Sequence, residues 1–345
     1  MADLTVEQAK ALIHVIRVET LGPISGSVSD QLYSSPAHFI QEMIQNADDN
    51  AYHSGVTPTL TFLQGSNGYL WVGCNEVGFT QANVRAICDI ADSTKKVEAN
   101  RKVSIGEKGI GFKAVFKVAT AVWVRSGSLR FKFDRTVRLG TILPEWVTCP
   151  AKEPLTDRTV FCLRIPSADD RDFVKKQLVA LDTGLLLFLR KLKLIQIGES
   201  QADGTSKILR AITREDRVES SIETRLLKTR VEMQSTLRYF RVFTKNATGM
   251  PLEDKRPGIR QTDVLVALPT AKQHSHEPVI RSQKLYNYLP VRAYGLSFIV
   301  NADFILNAAR EDIEKHNAWN LWLVETAKEL FLNTINVLKH QPYMK

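Results

Sequence analysis

Apolar positions between residues 36 and 52 recur with the period of an α-helix. Phe39, Ile40, Met43, Ile44 and Ala47 make one broad stripe, and Glu42, Asn46 and Asp49, spaced by four and then three, line up opposite it. One face is suited to packing and the other to chemistry. Pro36 after the Ser34-Ser35 pair supplies a start signal, because proline at the first turn gives up an N–H that has no partner there anyway. Residues 5 to 20 read as another helix with Thr5 as its cap, followed by the turn-rich stretch 22–27, and Thr80 to Ile90 as a third, with Val84, Ile87 and Cys88 at helical spacing. Shorter apolar runs predict strands: 58–63 and 69–73, joined as a hairpin through 65–68, then 121–126, 129–134 and 159–165. Helices mixed with mostly antiparallel strands predict an α+β two-layer sandwich over residues 1–166.

After Pro166 the pattern starts afresh. A helix is expected over 173–181, a dense apolar run over 185–189, a hairpin from 192–197 and 207–213, and strands near 238–244 and 263–268, with 294–300 part of the same region. A final amphipathic helix over 319–338 carries Trp322, Leu323, Leu330, Phe331 and Ile335, a stripe for core or subunit contact. Residues 167–345 therefore read as a second α+β domain.

Composition narrows the class. With 345 residues and 44% hydrophobic content the chain can build two ordinary cores. No apolar run approaches the roughly 18 residues of a membrane span, and the first residues lack the basic and apolar regions of a signal peptide. The expectation is a soluble intracellular protein, cytoplasmic or nuclear, without membrane contact. The four cysteines show no C-x-x-C spacing and are expected as buried free thiols, and His274 with His276 has no further ligands nearby to make a metal site. The net charge of +9 is concentrated in the middle, where residues 170–260 hold 19 Lys+Arg against 12 Asp+Glu. Acids interrupt the bases, so a solvated mixed surface and a nucleic-acid or acidic-partner contact both remain open.

Two further stretches carry chemistry. Residues 103–117 place Gly106, Gly109 and Gly111 just before a helical pattern at Phe112, Val115 and Phe116. Such a loop makes a phosphate cradle, because the backbone approaches closely and free N–H groups at a helix start favour anions. The apolar strand from Leu70 ends in Asn75-Glu76 and then Gly78, polar groups placed to read a base edge.

Helix, strand end and glycine loop, in that order, resemble the motifs of the GHKL ATPases: gyrase, the ninety-kilodalton heat-shock chaperones, histidine kinases and MutL. A narrower resemblance, carried by Gln45-Asn-Ala-Asp-Asp-Asn, Asn75-Glu-Val-Gly-Phe-Thr, Ala86-Ile-Cys and residues 105–113, is to the ATPase module of the NO VEIN proteins, with sacsin more distant. It covers roughly residues 30–165 and 280–315. The resemblance implies a GHKL (Bergerat) sandwich, a lid at about 91–109, and a second, middle or transducer-like domain. It implies ATP and Mg²⁺ as cofactors, with Glu42 polarising the attacking water, Asn46 offering its neutral oxygen to the metal and Asp49 orienting its neighbours. Asn75 stands where the family has an aspartate that accepts the adenine amino proton; its carbonyl is one candidate acceptor and Glu76 the other. Gly78, Gly106, Gly109 and Gly111 would form the backbone surface, with N–H groups of Ile110 to Phe112 at the phosphates and Lys108 and Lys113 adding charge. Thr159 resembles the threonine that supports the base pocket, though ordinary strand packing explains it equally. Arg310, in a stretch resembling the chaperones' middle-domain catalytic loop, would reach the γ-phosphate, or else pair with Asp303 or Glu311.

The implied activity is Mg-dependent ATP binding with slow hydrolysis. Lid and domain closure, with a homodimer formed on ATP binding, would then act on a protein client or a nucleic acid. The alternatives are a nucleotide-binding scaffold without hydrolysis and a chromatin or nucleic-acid clamp of the MORC kind.

Overall fold

Helix and strand propensities resolve into two compact units in the computed structural model, which describes residues 4–20, 38–88, 110–219, 222–231, 234–270, 282–307 and 311–340. The first unit comprises Met1–Leu181, Arg190–Ile212 and Arg230–Gln234, the second Asp182–Leu189, Thr213–Thr229 and Ser235–Lys345. The fold is α+β. The first unit continues past the boundary expected at 166 because the strand beyond it returns to the first sheet.

In the first unit, helices α1 (Val6–Thr20), α2 (His38–Asp49), α3 (Gln81–Cys88), α4 (Ile110–Lys113) and α5 (Ala168–Val179) accompany strands β1 (Thr59–Gly65), β2 (Tyr69–Cys74), β3 (Ala121–Ser126), β4 (Leu129–Asp134), β5 (Thr159–Arg164) and β6 (Leu194–Ser200). The strand order is β6-β1-β2-β5-β3-β4. Only β1 and β6 are parallel, with Leu60 opposite Ile195, a pairing that joins residues far apart in the chain. The cap expected at Thr5 forms, with Thr5 N–H donating to Gln8 Oε1 at 2.9 Å and Gln8 N–H donating to Thr5 Oγ1 at 3.2 Å; Thr80, expected as the first residue of its helix, caps it instead by exchanging the same pair of bonds with Asn83 at 2.8 and 3.2 Å. The start signal of α2 at Ser34–Pro36, the turn stretch at 22–27 and the lid region at 91–109 lie outside the described residues.

Strand alternation decides which side chains meet. Leu60 faces Cys74 across β1–β2, Cys74 faces Thr159 across β2–β5, and Thr159 faces Ser126 across β5–β3, so these four form one row on one face of the sheet. The next residues along make rows on the opposite face, including Leu63, Trp71, Cys162 and Trp123. The apolar stripe of α2 is buried in full, from Phe39 to Ala47; such burial is worth roughly 1.5–3 kcal/mol for each large side chain.

The remaining strands, β7 (Ser206–Glu219), β8 (Ile222–Val231), β9 (Gln234–Thr248), β10 (Gln261–Thr270), β11 (Lys284–Asn287), β12 (Leu289–Ala293) and β13 (Ile299–Asn301), run in the order β12-β11-β13-β10-β9-β8-β7; β7 belongs to the first unit up to Ile212 and to the second from Thr213. The apolar run expected at 185–189 begins as a 3-10 turn, Thr183–Leu187. Helix α6 (Ala318–Lys339), capped by Asn317, packs against β10 and buries Trp319, Leu323, Ala327 and Leu330 together with Val264, Val266 and Phe304. Of the expected stripe, Trp322 and Phe331 pack against this core half-buried. Asn320 is buried within it, and its amide bonds both to the N–H of Ile305 (2.7 Å) and to the carbonyls of Ile305 (2.8 Å) and Glu314 (2.9 Å), which satisfies it. Among the described residues no helix is long and apolar enough to cross a membrane.

Candidate functional site

Above the Leu60–Cys74–Thr159 row the first unit holds a cavity of about 700 Å³, its open mouth included. The sheet supplies Leu60, Val72 and Phe161 as an apolar floor, and α3 closes one side with Asn83, Ala86 and Ile87. From α2 come Met43, Asn46, Ala47 and Asn50, so two amides one turn apart stand on an otherwise apolar wall. Phe79 and Phe112 complete it. The balance of many apolar contacts with a few fixed polar ones suits a small organic ligand.

The polar groups are held by a directional chain. Phe79 N–H donates to Ser126 Oγ at 2.7 Å, Ser126 lies 2.7 Å from Thr159 Oγ1, and Thr159 Oγ1 donates to Glu76 Oε1 at 2.6 Å. Each hydroxyl has one proton, so the order runs from the amide through both hydroxyls to the carboxylate. Glu76 and Thr159 are buried. Gly78 lets the chain turn here with φ +102°, and a Cβ at that position would stand 2.9 Å from Arg158 Nε.

Cys74 occupies the strand-end position that faces the cavity. Its Sγ lies 3.2 Å from the Tyr52 hydroxyl, which also lies 2.6 Å from the Ala47 carbonyl. Burial pushes the Cys74 thiol up to about 12, with the Tyr52 hydrogen bond and the nearby Glu76 charge as smaller influences, so it stays protonated at neutral pH. Burial likewise raises Tyr52 far above its ordinary value.

The C-terminal end of α2 is latched to the segment before β6. Asp48, fully buried, accepts the N–H groups of Arg190 (2.8 Å), Lys191 (2.7 Å) and Leu192 (2.9 Å). Asp49 pairs with the Arg190 guanidinium, and Lys191 Nζ donates to the carbonyls of Asp49 (3.0 Å) and Asn50 (2.5 Å). A cation on the last carbonyls of a helix is favourable for the dipole as well as for the hydrogen bonds.

The structure brings some expected site residues together and separates others. Asn46, Thr159 and Phe112 reach the cavity wall. Glu42 is buried on the same side of α2, one turn before Asn46, and is not among the wall residues. Asp49 pairs with the Arg190 guanidinium. Gly111 and Ile110 lie in α4, which packs against α2.

Asn75 is a correction: its Oδ1 accepts the Thr59 N–H at 2.8 Å and its Nδ2 donates to the Thr57 carbonyl at 2.9 Å, so it fastens the start of β1 and does not read the cavity. Lys113 is a second correction. Its ammonium donates to the Thr141 carbonyl at 2.5 Å and lies 4.4 Å from the centre of the Phe133 ring, so it is committed to the α4–β4 side. Gly106, Lys108, Gly109 and Arg310 lie outside the described residues. In the second unit Asp303, one partner considered for Arg310, receives both arms of Arg256 at 2.6 and 2.7 Å. Sequence reasoning missed Cys74, Asn50 and Asn83. Strand parity could have found the first, since Leu70, Val72 and Cys74 share a face.

No family model matches the chain. It is similar to Protein NO VEIN of Arabidopsis thaliana, at 31% identity over 337 residues, which is 91% of this chain and 12% of that protein. The chain thus spans a small part of its relative's length. A crystal structure of the N-terminal domain of a DNA repair protein superposes with a TM-score of 0.46 at 9% identity, covering 92% of this chain and 99% of that one.

Proposed function

We propose that the first unit is a GHKL-type nucleotide-binding module that takes ATP with Mg²⁺ and hydrolyses it slowly. The observation that carries this reading is the cavity in which an apolar floor meets the Asn46 and Asn50 amides and the hydroxyl of Thr159, itself fixed on Glu76. The similarity to NO VEIN supports it, because the motifs that resemble the GHKL ATPases also resemble that family's module.

The residues present fit the group. A planar heteroaromatic base matches apolar walls that carry a few polar atoms. Asn46 would hold the metal through its amide oxygen. Mg²⁺ keeps several of its own waters and takes few protein ligands. When bound, Mg²⁺ supplies charge neutralisation at the phosphate oxygens. Glu42, one turn before Asn46, is the residue assigned to orient and deprotonate the attacking water, and Thr159 with Glu76 fixes the base side of the pocket. The thiol of Cys74, held protonated, adds a weak donor to the cavity wall beside that strand end. Lid and domain closure on ATP would then act on a partner, a protein client or a nucleic acid.

A non-hydrolysing scaffold is the second reading, favoured by Asn75 being fastened to β1 and the Cys74 thiol being neutral, which leaves Glu76, already accepting the Thr159 hydroxyl, as the charged group of that strand end. Magnesium-dependent ATP binding and turnover, measured on wild type, Glu42→Ala and Asn46→Ala, decides between them. ATP hydrolysis predicts retained binding with turnover lost in the first variant and at least a tenfold loss of binding in the second. Equal turnover in wild type and Glu42→Ala removes the enzyme, binding without turnover in wild type selects the scaffold, and no binding in wild type removes the nucleotide reading altogether.

A further inference from the structure

On the face of the first unit's sheet opposite the cavity, an irregular segment passes over the row of Leu63, Trp71, Cys162 and Trp123. It is clamped at both ends. Glu145 and Lys132 exchange two backbone hydrogen bonds at 2.8 and 2.9 Å. Further on, Arg125 Nε donates to both carboxylate oxygens of Glu153 at 2.8 and 3.0 Å, and its Nη2 donates to the carbonyls of Leu155 (3.3 Å) and Asp157 (2.8 Å). Gly73 permits this close approach, because a Cβ there would lie 2.8 Å from Leu155 Cδ1. Midway between the clamps sits Cys149, half-buried, with its Sγ 3.1 Å from that of buried Cys162. Both thiols line a separate open cavity of about 490 Å³, together with Trp71, Trp123, Arg125 and Arg130.

We infer that Cys149 and Cys162 form an oxidation site, a dithiol that hydrogen peroxide converts into an intrachain disulfide. A disulfide bond is about 2.05 Å long, so the two sulfurs need to approach by only about 1 Å, and the clamps have already ordered the segment that carries Cys149. The open cavity gives a small oxidant access to both.

Cys149 attacks first. The neighbouring Cys162 thiol hydrogen-bonds to its thiolate and lowers its pKa, whereas burial raises that of Cys162, and the thiolate is the nucleophile. The Cys149 thiolate takes one oxygen of peroxide, the O–O bond breaks, and the departing hydroxide picks up the thiol proton as water, leaving a sulfenic acid. The Cys162 sulfur then attacks the Cys149 sulfur, the S–O bond breaks, and hydroxide leaves with the Cys162 proton as a second water. Two thiols and one peroxide become one disulfide and two waters.

The test treats the reduced chain with a few-fold molar excess of hydrogen peroxide, quenches it, unfolds it, counts thiols and maps peptides without reduction. Two of the four thiols are expected to disappear, with the peptides holding Cys149 and Cys162 joined, two hydrogens lighter, and released by dithiothreitol. Cys162→Ser should stop at a sulfenic acid on Cys149, trapped by dimedone, and Cys149→Ser should keep its remaining thiols. Retention of all four thiols by the wild type at a dose that oxidises glutathione overturns the site. So does a disulfide involving Cys74 or Cys88, a disulfide between two chains, or over-oxidation of Cys149 without a bond to Cys162. The wild-type map stands by itself should either variant fold poorly.

Discussion

Along β5, Thr159 and Phe161 point to the helix-covered side of the sheet while Val160 and Cys162 point to the loop-covered side. One strand therefore serves two environments. On the helix side the sheet meets α2 and α3 across an open cavity, and its polar atoms belong to side chains that a further partner could also engage. On the other side, Trp71, Trp123 and the clamped segment make an aromatic cover in which the reactive groups are two sulfurs facing one another. The difference teaches that a period of two partitions chemistry as well as packing: residues adjacent in the chain work on opposite faces.

The largest effect should come from releasing the helix side. Asp48→Ala strips the partner from three backbone N–H groups, of which Leu192 N lies in a buried bond, and frees α2 from the segment before β6. An unsatisfied buried donor costs about 1–3 kcal/mol, so a loss of about 3 kcal/mol or more is expected by denaturant titration. A loss below about 1 kcal/mol would mean that the latch is not what holds the cavity wall in place. Nothing comparable is expected from Glu153→Ala, which removes one part-exposed ion pair from the other face.

Local pattern was enough for much of this architecture and failed where distance or parity took over. The stripe of α2, the cap at Thr5, and the strands at 121–126 and 129–134 follow from residues a few positions apart, and the structure has them where the sequence puts them. Asn75 departs from the expectation because strand parity puts Leu70, Val72 and Cys74 on one face, while Asn75 fastens the start of β1. The bonds of Asp48 to residues 190–192, and of Lys113 to Thr141, depend on chain segments that meet only after folding. The boundary placed at 166 failed for the same reason, since the parallel pairing of β1 with β6 draws residues 194–200 into the first unit. Thr159 was read as pocket support or plain packing, and its hydroxyl turns out to lie between Ser126 and Glu76 on the cavity wall.

That hydroxyl sharpens the contrast between the faces at a smaller scale. Thr159→Val keeps the shape of the row but deletes one bond to a buried carboxylate and one to Ser126, for an expected cost of about 2 kcal/mol. The same variant should weaken ATP binding if the proposed function holds. Val160→Thr, its neighbour on the other face, buries a hydroxyl beside Trp71 and should leave nucleotide binding unchanged whatever it costs in stability. Equal effects of the two variants on binding would erase the distinction between the faces.

The smallest effect tests the cavity's thiol. Cys74 titrates at about 12 when folded against an ordinary 9.0, a shift caused mainly by burial. Because the folded value is raised, the stabilisation is fully present below about pH 9 and drains away as pH rises from there toward about 12. Tyr52, raised above its ordinary 10.0, acts in the same direction. Wild type should therefore lose about 1 kcal/mol more than Cys74→Ala between pH 8 and pH 10, read as the difference in the slope of melting temperature with pH. A Cys74→Ala variant with the same slope as wild type would mean that water reaches this sulfur, and that the floor of the cavity is wetter than its Leu60, Val72 and Phe161 lining requires.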